Sequence, residues 1–183
     1  MEKNYHDVHD NKAGVFNTRN GLLVDLHNPT VDMIIVEDIA HALSNICRFG
    51  GHTAGHYSVL EHSYLVAALA PLQYRAEALM HDAVETYLGD VIKPLKNILG
   101  RVYTDLEHTF EELIIEKFNL NRDSLDAIKQ YDIEALELEH RAYILDEPSA
   151  INSLRGAIRF QSGGYVSKVN LRCLFSDYFN NQR

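Results

Sequence analysis

The 183-residue chain has no tryptophan, two cysteines and four prolines. Cys47 and Cys173 stand far apart, outside any CxxC spacing, and each has apolar neighbours. Two buried free thiols are expected, rather than a disulfide or a thiolate metal site. Long hydrophobic runs are missing too, and a stretch such as Val66-Ala67-Ala68-Leu69-Ala70 falls far short of a membrane span. Positive charge is in deficit: 17 Lys and Arg against 26 Asp and Glu leave a formal net charge of −9. That balance excludes general binding to a nucleic-acid polymer, which needs a basic surface. It leaves room for a small phosphorylated ligand served by a few local cations. The first six residues are polar and lack the apolar core of a signal peptide, so the expected location is cytoplasmic.

What is there is ordinary globular material, 46% hydrophobic and 23% charged, in a length that fits one domain over residues 1–183. Residues 1–12 read as a mobile start. Apolar runs at 13–17 and 22–26 flank Thr18-Arg19-Asn20-Gly21, and Asn-Gly between such runs predicts a small hairpin. This ribbon reads as a packing ornament, with closure over a cleft or a subunit contact as the alternatives. Beyond Pro29 the pattern turns helical. Ile34, Ile35, Ile39, Leu43 and Ile46 form one stripe ending near Gly50-Gly51. A helix over about 58–70 opens with Ser58 and Glu61 in capping-box relation, and another covers about 74–88, stopped at Gly89. A loop through Pro94 leads to a helix over 102–118. A long helix capped by Asp123 or Ser124 reaches about 146, residues 149–167 are mixed, and a closing helix spans about 169–179. The fold class is all-α with a minor N-terminal β-hairpin.

The sharpest chemical feature is Leu79-Met80-His81-Asp82-Ala83-Val84-Glu85, three polar residues on an otherwise apolar helix. Helical geometry sets Glu85 one turn beyond both His81 and Asp82, so the three can face one cleft. Imidazole and carboxylate together suit Zn, Mn, Co, Ni or Fe, and a further acid offers a proton acceptor. A lone His-Asp dipeptide is more often a packing pair. Here it has company: His62 early on the preceding helix and Asp132 on the long one.

The order His62, then His81-Asp82, then Asp132 resembles the HD superfamily of metal-dependent phosphohydrolases, over about residues 35–141. That resemblance implies an HD-domain helical bundle with His62, His81, Asp82 and Asp132 as ligands of one divalent metal, Mg joining with substrate if at all. Within the superfamily, Glu85, Gly89-Asp90 and Pro94-Leu95-Lys96 are similar to the bacterial 5′-deoxynucleotidases and the phage dATP triphosphohydrolases. Arg48-Phe49 resembles the Arg-aromatic pair those enzymes set against phosphate and sugar or base, with Phe49 where tryptophan is frequent. Relatives form dimers or larger rings, so a homo-oligomer is implied.

Chemistry assigns roles alongside the resemblance. Glu85 is the candidate proton acceptor, and Asp90 can orient the water or the leaving oxygen. Arg48, Lys96 and Lys129 can neutralise phosphate, the main electrostatic need of phosphoryl transfer. His52 and His56, in the Gly-rich loop before the ligand helix, are candidates to line the pocket. The expected activity is hydrolysis of a (deoxy)nucleoside 5′-phosphate at the α-phosphorus, releasing phosphate from a monophosphate or tripolyphosphate from a triphosphate. The alternatives are a non-catalytic nucleotide-binding module and a hydrolase of alarmones or cyclic nucleotides.

Overall fold

The computed structural model describes residues 14–161 and 167–181. Residues 1–12, expected to be mobile, lie outside the described residues. The chain is mostly helical, with a two-stranded antiparallel sheet near its start. β1 (Val15–Asn17) pairs with β2 (Leu23–Asp25), Phe16 opposite Val24. Asn20-Gly21 lies in the connecting turn, as its composition predicts, and the loop is closed by Thr18 N–H donating to the Leu22 carbonyl at 2.8 Å. Val24 is fully buried and ties the ribbon to the core.

α1 (Val36–Leu43) follows; of the stripe read from the sequence, Ile39 and Leu43 lie on its buried face, while Ile34, Ile35 and Ile46 fall outside this shorter helix. α2 (Val59–Leu69) is central: it buries residues on every side, as an inner helix of a small domain must, and packs against later helices. Its start is the capping box read from the sequence. The Ser58 Oγ accepts from Glu61 N–H at 3.2 Å, and Glu61 accepts from Ser58 N–H at 2.9 Å. Ser58→Ala leaves the Glu61 N–H without its acceptor and should cost about 1 kcal/mol. For a chain of this size that lowers the melting midpoint by roughly 2–4 °C, readable by calorimetry.

Four expectations about the later helices are corrected. The helix predicted over 74–88 is two pieces, α3 (Arg75–Met80) and α4 (Glu85–Leu88). Between them the chain tightens, with Ala83 N–H donating to Met80 O and Glu85 N–H to Asp82 O. The cause is local: His81 Nδ1 bonds the Ala78 carbonyl at 2.9 Å, the acceptor that a regular helix assigns to the Asp82 N–H. Second, the stretch through Pro94 is a helix, α5 (Lys93–Leu99), because proline in the first turn sacrifices no hydrogen bond. Third, the mixed segment contains α8 (Pro148–Gln161), again with proline at its first position. Fourth, the long helix α7 (Arg122–Tyr143) is capped by Asn121, whose side chain accepts from Ser124 N–H at 2.9 Å. The helices α6 (Arg101–Phe118) and α9 (Lys168–Asn180) lie close to their expected positions.

Both cysteines are free, yet neither is buried: Cys47 is half-buried and Cys173 exposed. Cys173 stands on α9 between the inward residues Leu171 and Phe175, so its apolar neighbours in sequence point elsewhere. No helix among the described residues is long and apolar enough to cross a membrane.

Candidate metal centre

Three elements deliver the site. The capping box starts α2 so that His62 falls on its first turn, fully buried. The tight turn between α3 and α4 presents His81 and Asp82. α7 carries Asp132. His62 Nε2 lies 3.1 Å from His81 Nε2 and 3.1 Å from Asp132 Oδ1. Ligand atoms of His62, His81 and Asp132 all fall within 4.8 Å of one another, a group that could hold a metal ion. Asp82 stands beside them, its Oδ2 3.4 Å from His62 Nε2, 3.3 Å from His81 Nε2 and 3.4 Å from Arg48 Nη1.

The outer ends of both imidazoles are fixed. His62 Nδ1 meets Glu139 Oε1 at 2.5 Å, and His81 Nδ1 meets the Ala78 carbonyl. Both partners accept hydrogen bonds, so both Nδ1 atoms act as donors and each Nε2 is turned toward the same point, free to offer a lone pair to a metal. The carboxylates around the two Nε2 atoms add negative charge, so the point where they converge favours a positive charge, a proton on His62 or a metal ion. Two imidazole nitrogens with two carboxylates are a donor set that fits Zn, Mn, Co, Ni or Fe.

Glu139 is the residue that sequence reasoning missed. It is fully buried on α7 and accepts from Tyr57 Oη at 2.8 Å, from His62 Nδ1, and from Arg48 Nε at 3.2 Å. Seven residues separate it from Asp132, two helical turns, and that spacing on one face was the available signal.

The electrostatics follow from these contacts. Burial and the Arg48 guanidinium would lower the His62 pKa, but Glu139 and Asp132 outweigh them and raise it to about 9. Burial would raise Asp82, yet His81, His62 and Arg48 hold it far below the ordinary carboxylate range. Burial likewise opposes, and the histidines overcome, in Asp132 and Glu139, both of which are lowered. Glu85 moves the other way. Burial first, then the charges of Asp82 and Asp90, push it well above its ordinary value, and its Oε2 is buried with no hydrogen-bond partner. Asp90 is raised as well, by burial and Asp82 against the pull of Arg48.

A cleft of about 450 Å³ opens on this cluster, lined among others by Arg48, Asp82, Glu85, Lys96 and Asp132. The other predicted residues distribute unevenly. Arg48 reaches the cleft but is paired with Asp82 and with Glu139, whose Oε2 lies 3.1 Å from Nη2. Its backbone is held by donation to the Tyr57 carbonyl at 3.0 Å, and Phe49 follows in the left-handed region at φ 55° with its ring 5.8 Å from the guanidinium. Lys96 lines the cleft while bonded to Glu107 at 2.6 Å. Lys129 is 74% exposed, paired with Asp126, and does not line it. His52 is exposed and also outside it. His56 lines a different cavity of about 520 Å³, beside Glu61, Tyr143 and Arg155. Lys93, one turn before Lys96, lines the metal-side cleft and was not singled out from the sequence.

Fold and site together define a helical protein with a buried-sided His/Asp group able to hold a metal. The uncharacterized protein YfdR of Escherichia coli (strain K12) is 41% identical to this chain over 125 residues, 68% of this chain and 70% of that protein. An uncharacterized protein of Rhodobacter capsulatus is 39% identical over 109 residues, 55% of this chain and 56% of that protein. The chain belongs to the family that includes YfdR. No family model matches it.

Proposed function

We propose that the chain is a divalent-metal phosphohydrolase of the HD type, acting on (deoxy)nucleoside 5′-phosphates at the α-phosphorus. One observation carries the reading: two pre-oriented imidazoles, Asp132 and Asp82 converge at a cleft that also holds an unpartnered acid and lysines. His62, His81, Asp82 and Asp132 would hold the metal. When bound, the metal supplies positive charge to a phosphate oxygen and makes water more acidic at neutral pH.

The chain's own groups do the rest. Glu85, uncommitted and held above the ordinary glutamate range, accepts the proton of the attacking water. Asp90 orients that water or the leaving oxygen. Lys96 and Lys93 meet phosphate, and Lys93 is in no ion pair among the described residues. Arg48 positions Asp82 and Glu139 as much as it faces substrate. Lys129, exposed and paired with Asp126, gives this role up to Lys93. Both a monophosphate, released as orthophosphate, and a triphosphate, released as tripolyphosphate, fit the same attack. The homo-oligomer implied by the resemblance is supported by apolar residues left exposed on α5 and α6, Ile98 and Val102 among them.

The test strips the protein with chelator, restores Mn, Co, Zn, Ni, Fe or Mg, and screens deoxy- and ribonucleotides while identifying the phosphorus product. Turnover should need a restored metal, and Asp82→Ala should lose both bound metal and activity. If no nucleotide is turned over with any metal, the enzyme reading fails.

A further inference from the structure

Behind α4, on the side away from the metal cluster, lies a second polar chamber. Asp38 on α1 is 2% exposed, and its Oδ1 accepts from Asn20 N–H at 3.1 Å, while its Oδ2 is buried without a hydrogen-bond partner. His41 Nδ1, one turn along α1, and Thr86 Oγ1 on α4 are buried and unpartnered too. All three residues line one cavity of about 150 Å³ beneath the hairpin, whose wall includes Asn17 and Arg19. Interiors leave few polar atoms unmatched, so three around one cavity are not ordinary packing.

A separate observation concerns charge. α9 packs along α1, and Lys168 Nζ bonds Asn45 Oδ1 just past the end of α1. Arg172 is one turn further along α9. Arg19 lines the chamber, Lys168 and Arg172 ride on the helix packed against α1, and behind burial the charges of Arg172, Arg19 and Lys168 lower the His41 pKa. None of the three is in an ion pair among the described residues, in a chain whose acids outnumber its bases by 26 to 17. Uncompensated positive charge at one mouth of an acidic protein attracts an anion.

The interior offers a carboxylate oxygen that can only accept, with a hydroxyl and an imidazole nitrogen beside it, so it suits a group that carries hydrogen-bond donors. The mouth calls for an anion. The geometry points to a second ligand site, for a small phosphorylated compound whose head carries amino or hydroxyl donors, the chemistry nucleotides and sugar phosphates share. A cavity of about 150 Å³ takes one ring and leaves the phosphate beside Arg19, with Lys168 and Arg172 on α9, the helix packed against α1. The site also has a route to the cleft. Glu85 and Thr86 are adjacent on α4, yet the first lines the cleft and the second the chamber, so a ligand bonded to Thr86 braces the helix that holds Glu85.

The test is a titration of the isotope-labelled full chain, in chelator so that nothing turns over, followed by NMR. The probes are dAMP, ribose 5-phosphate and inorganic phosphate. The amides of Asn20, Asp38, His41 and Thr86 should shift saturably with dAMP or ribose 5-phosphate, and far less with phosphate alone. Arg19→Ala with Arg172→Ala should weaken that response by about tenfold or more while Asp82 and Lys96 respond as before, since two charge-assisted contacts are lost. Thermal melts establish that the double variant folds. Shifts confined to the cleft, or no shift with any probe because the chamber holds only water, overturn the proposal and leave the hydrolase reading standing. An unchanged response in the double variant overturns it as well. A chamber response in a protein with no hydrolase activity sinks the hydrolase reading alone.

Discussion

Glu139→Ala should destabilise the protein by about 3–5 kcal/mol, the largest effect expected of any single substitution here. The carboxylate is fully buried and is the shared acceptor of Arg48, Tyr57 and His62. Removing it leaves a buried guanidinium with only a 3.4 Å contact to Asp82, and strands the Tyr57 hydroxyl. Denaturant unfolding measures this directly, and a loss below about 1 kcal/mol would count against the network, since that is the value of an ordinary neutral hydrogen bond. Glu139→Gln separates packing from charge. The amide keeps the volume but no longer holds His62 Nδ1–H with a full negative charge, and metal affinity should fall about 10–100-fold, the usual effect of losing the partner that orients a ligating histidine. Metal competition with a chelating dye reads that number without reference to activity.

In the proposed hydrolase, Glu85→Gln should lower turnover by roughly 10²–10⁴-fold while leaving bound metal in place, because it would remove the proposed proton acceptor and no ligand. The same substitution makes a second prediction, in stability. Glu85 is raised well above its ordinary value by burial, Asp82 and Asp90. A carboxyl raised on folding contributes stability that is full below the unfolded pKa and lost as pH climbs through the folded value. Glutamine has no such dependence. In chelator, the variant should therefore gain on wild type as pH rises from about 5 to about 8, starting just above the unperturbed glutamate pKa. A stability difference flat across that window would place Glu85 in an environment that does not resist its charge.

Much of this was legible in the residues, and the failures have specific causes. Asn20-Gly21 and the Ser58/Glu61 box announced the hairpin and the start of α2, because each satisfies local backbone demands wherever it occurs. His62, His81 and Asp82 were legible because polar residues stood on apolar helices; Asp132, on the charge-rich α7, was legible only through the order of residues that carries the family resemblance. Glu139 was harder: Glu134 and Glu137 share α7 with it, and only its two-turn spacing from Asp132 sets the buried acid apart from the exposed ones. Lys129 misled for a related reason. Its spacing from Asp132 suits one face, but Asp126 lies equally close on the other side and takes the ammonium. Pro94 was read as an interruption although proline is welcome in a first turn, which hid α5 and with it Lys93. The break between α3 and α4 depended on one side chain, His81, capturing a backbone carbonyl, a competition invisible to periodicity.

The central claim is that His62, His81 and Asp132, with Asp82 beside them, hold one divalent cation. Anomalous diffraction from crystals grown with Mn or Zn tests it most directly. The account predicts one strong peak within about 2.0–2.3 Å of His62 Nε2, His81 Nε2 and one carboxylate oxygen each of Asp82 and Asp132, lost in Asp82→Ala. A peak elsewhere, or a cluster that stays empty at saturating metal, would contradict it.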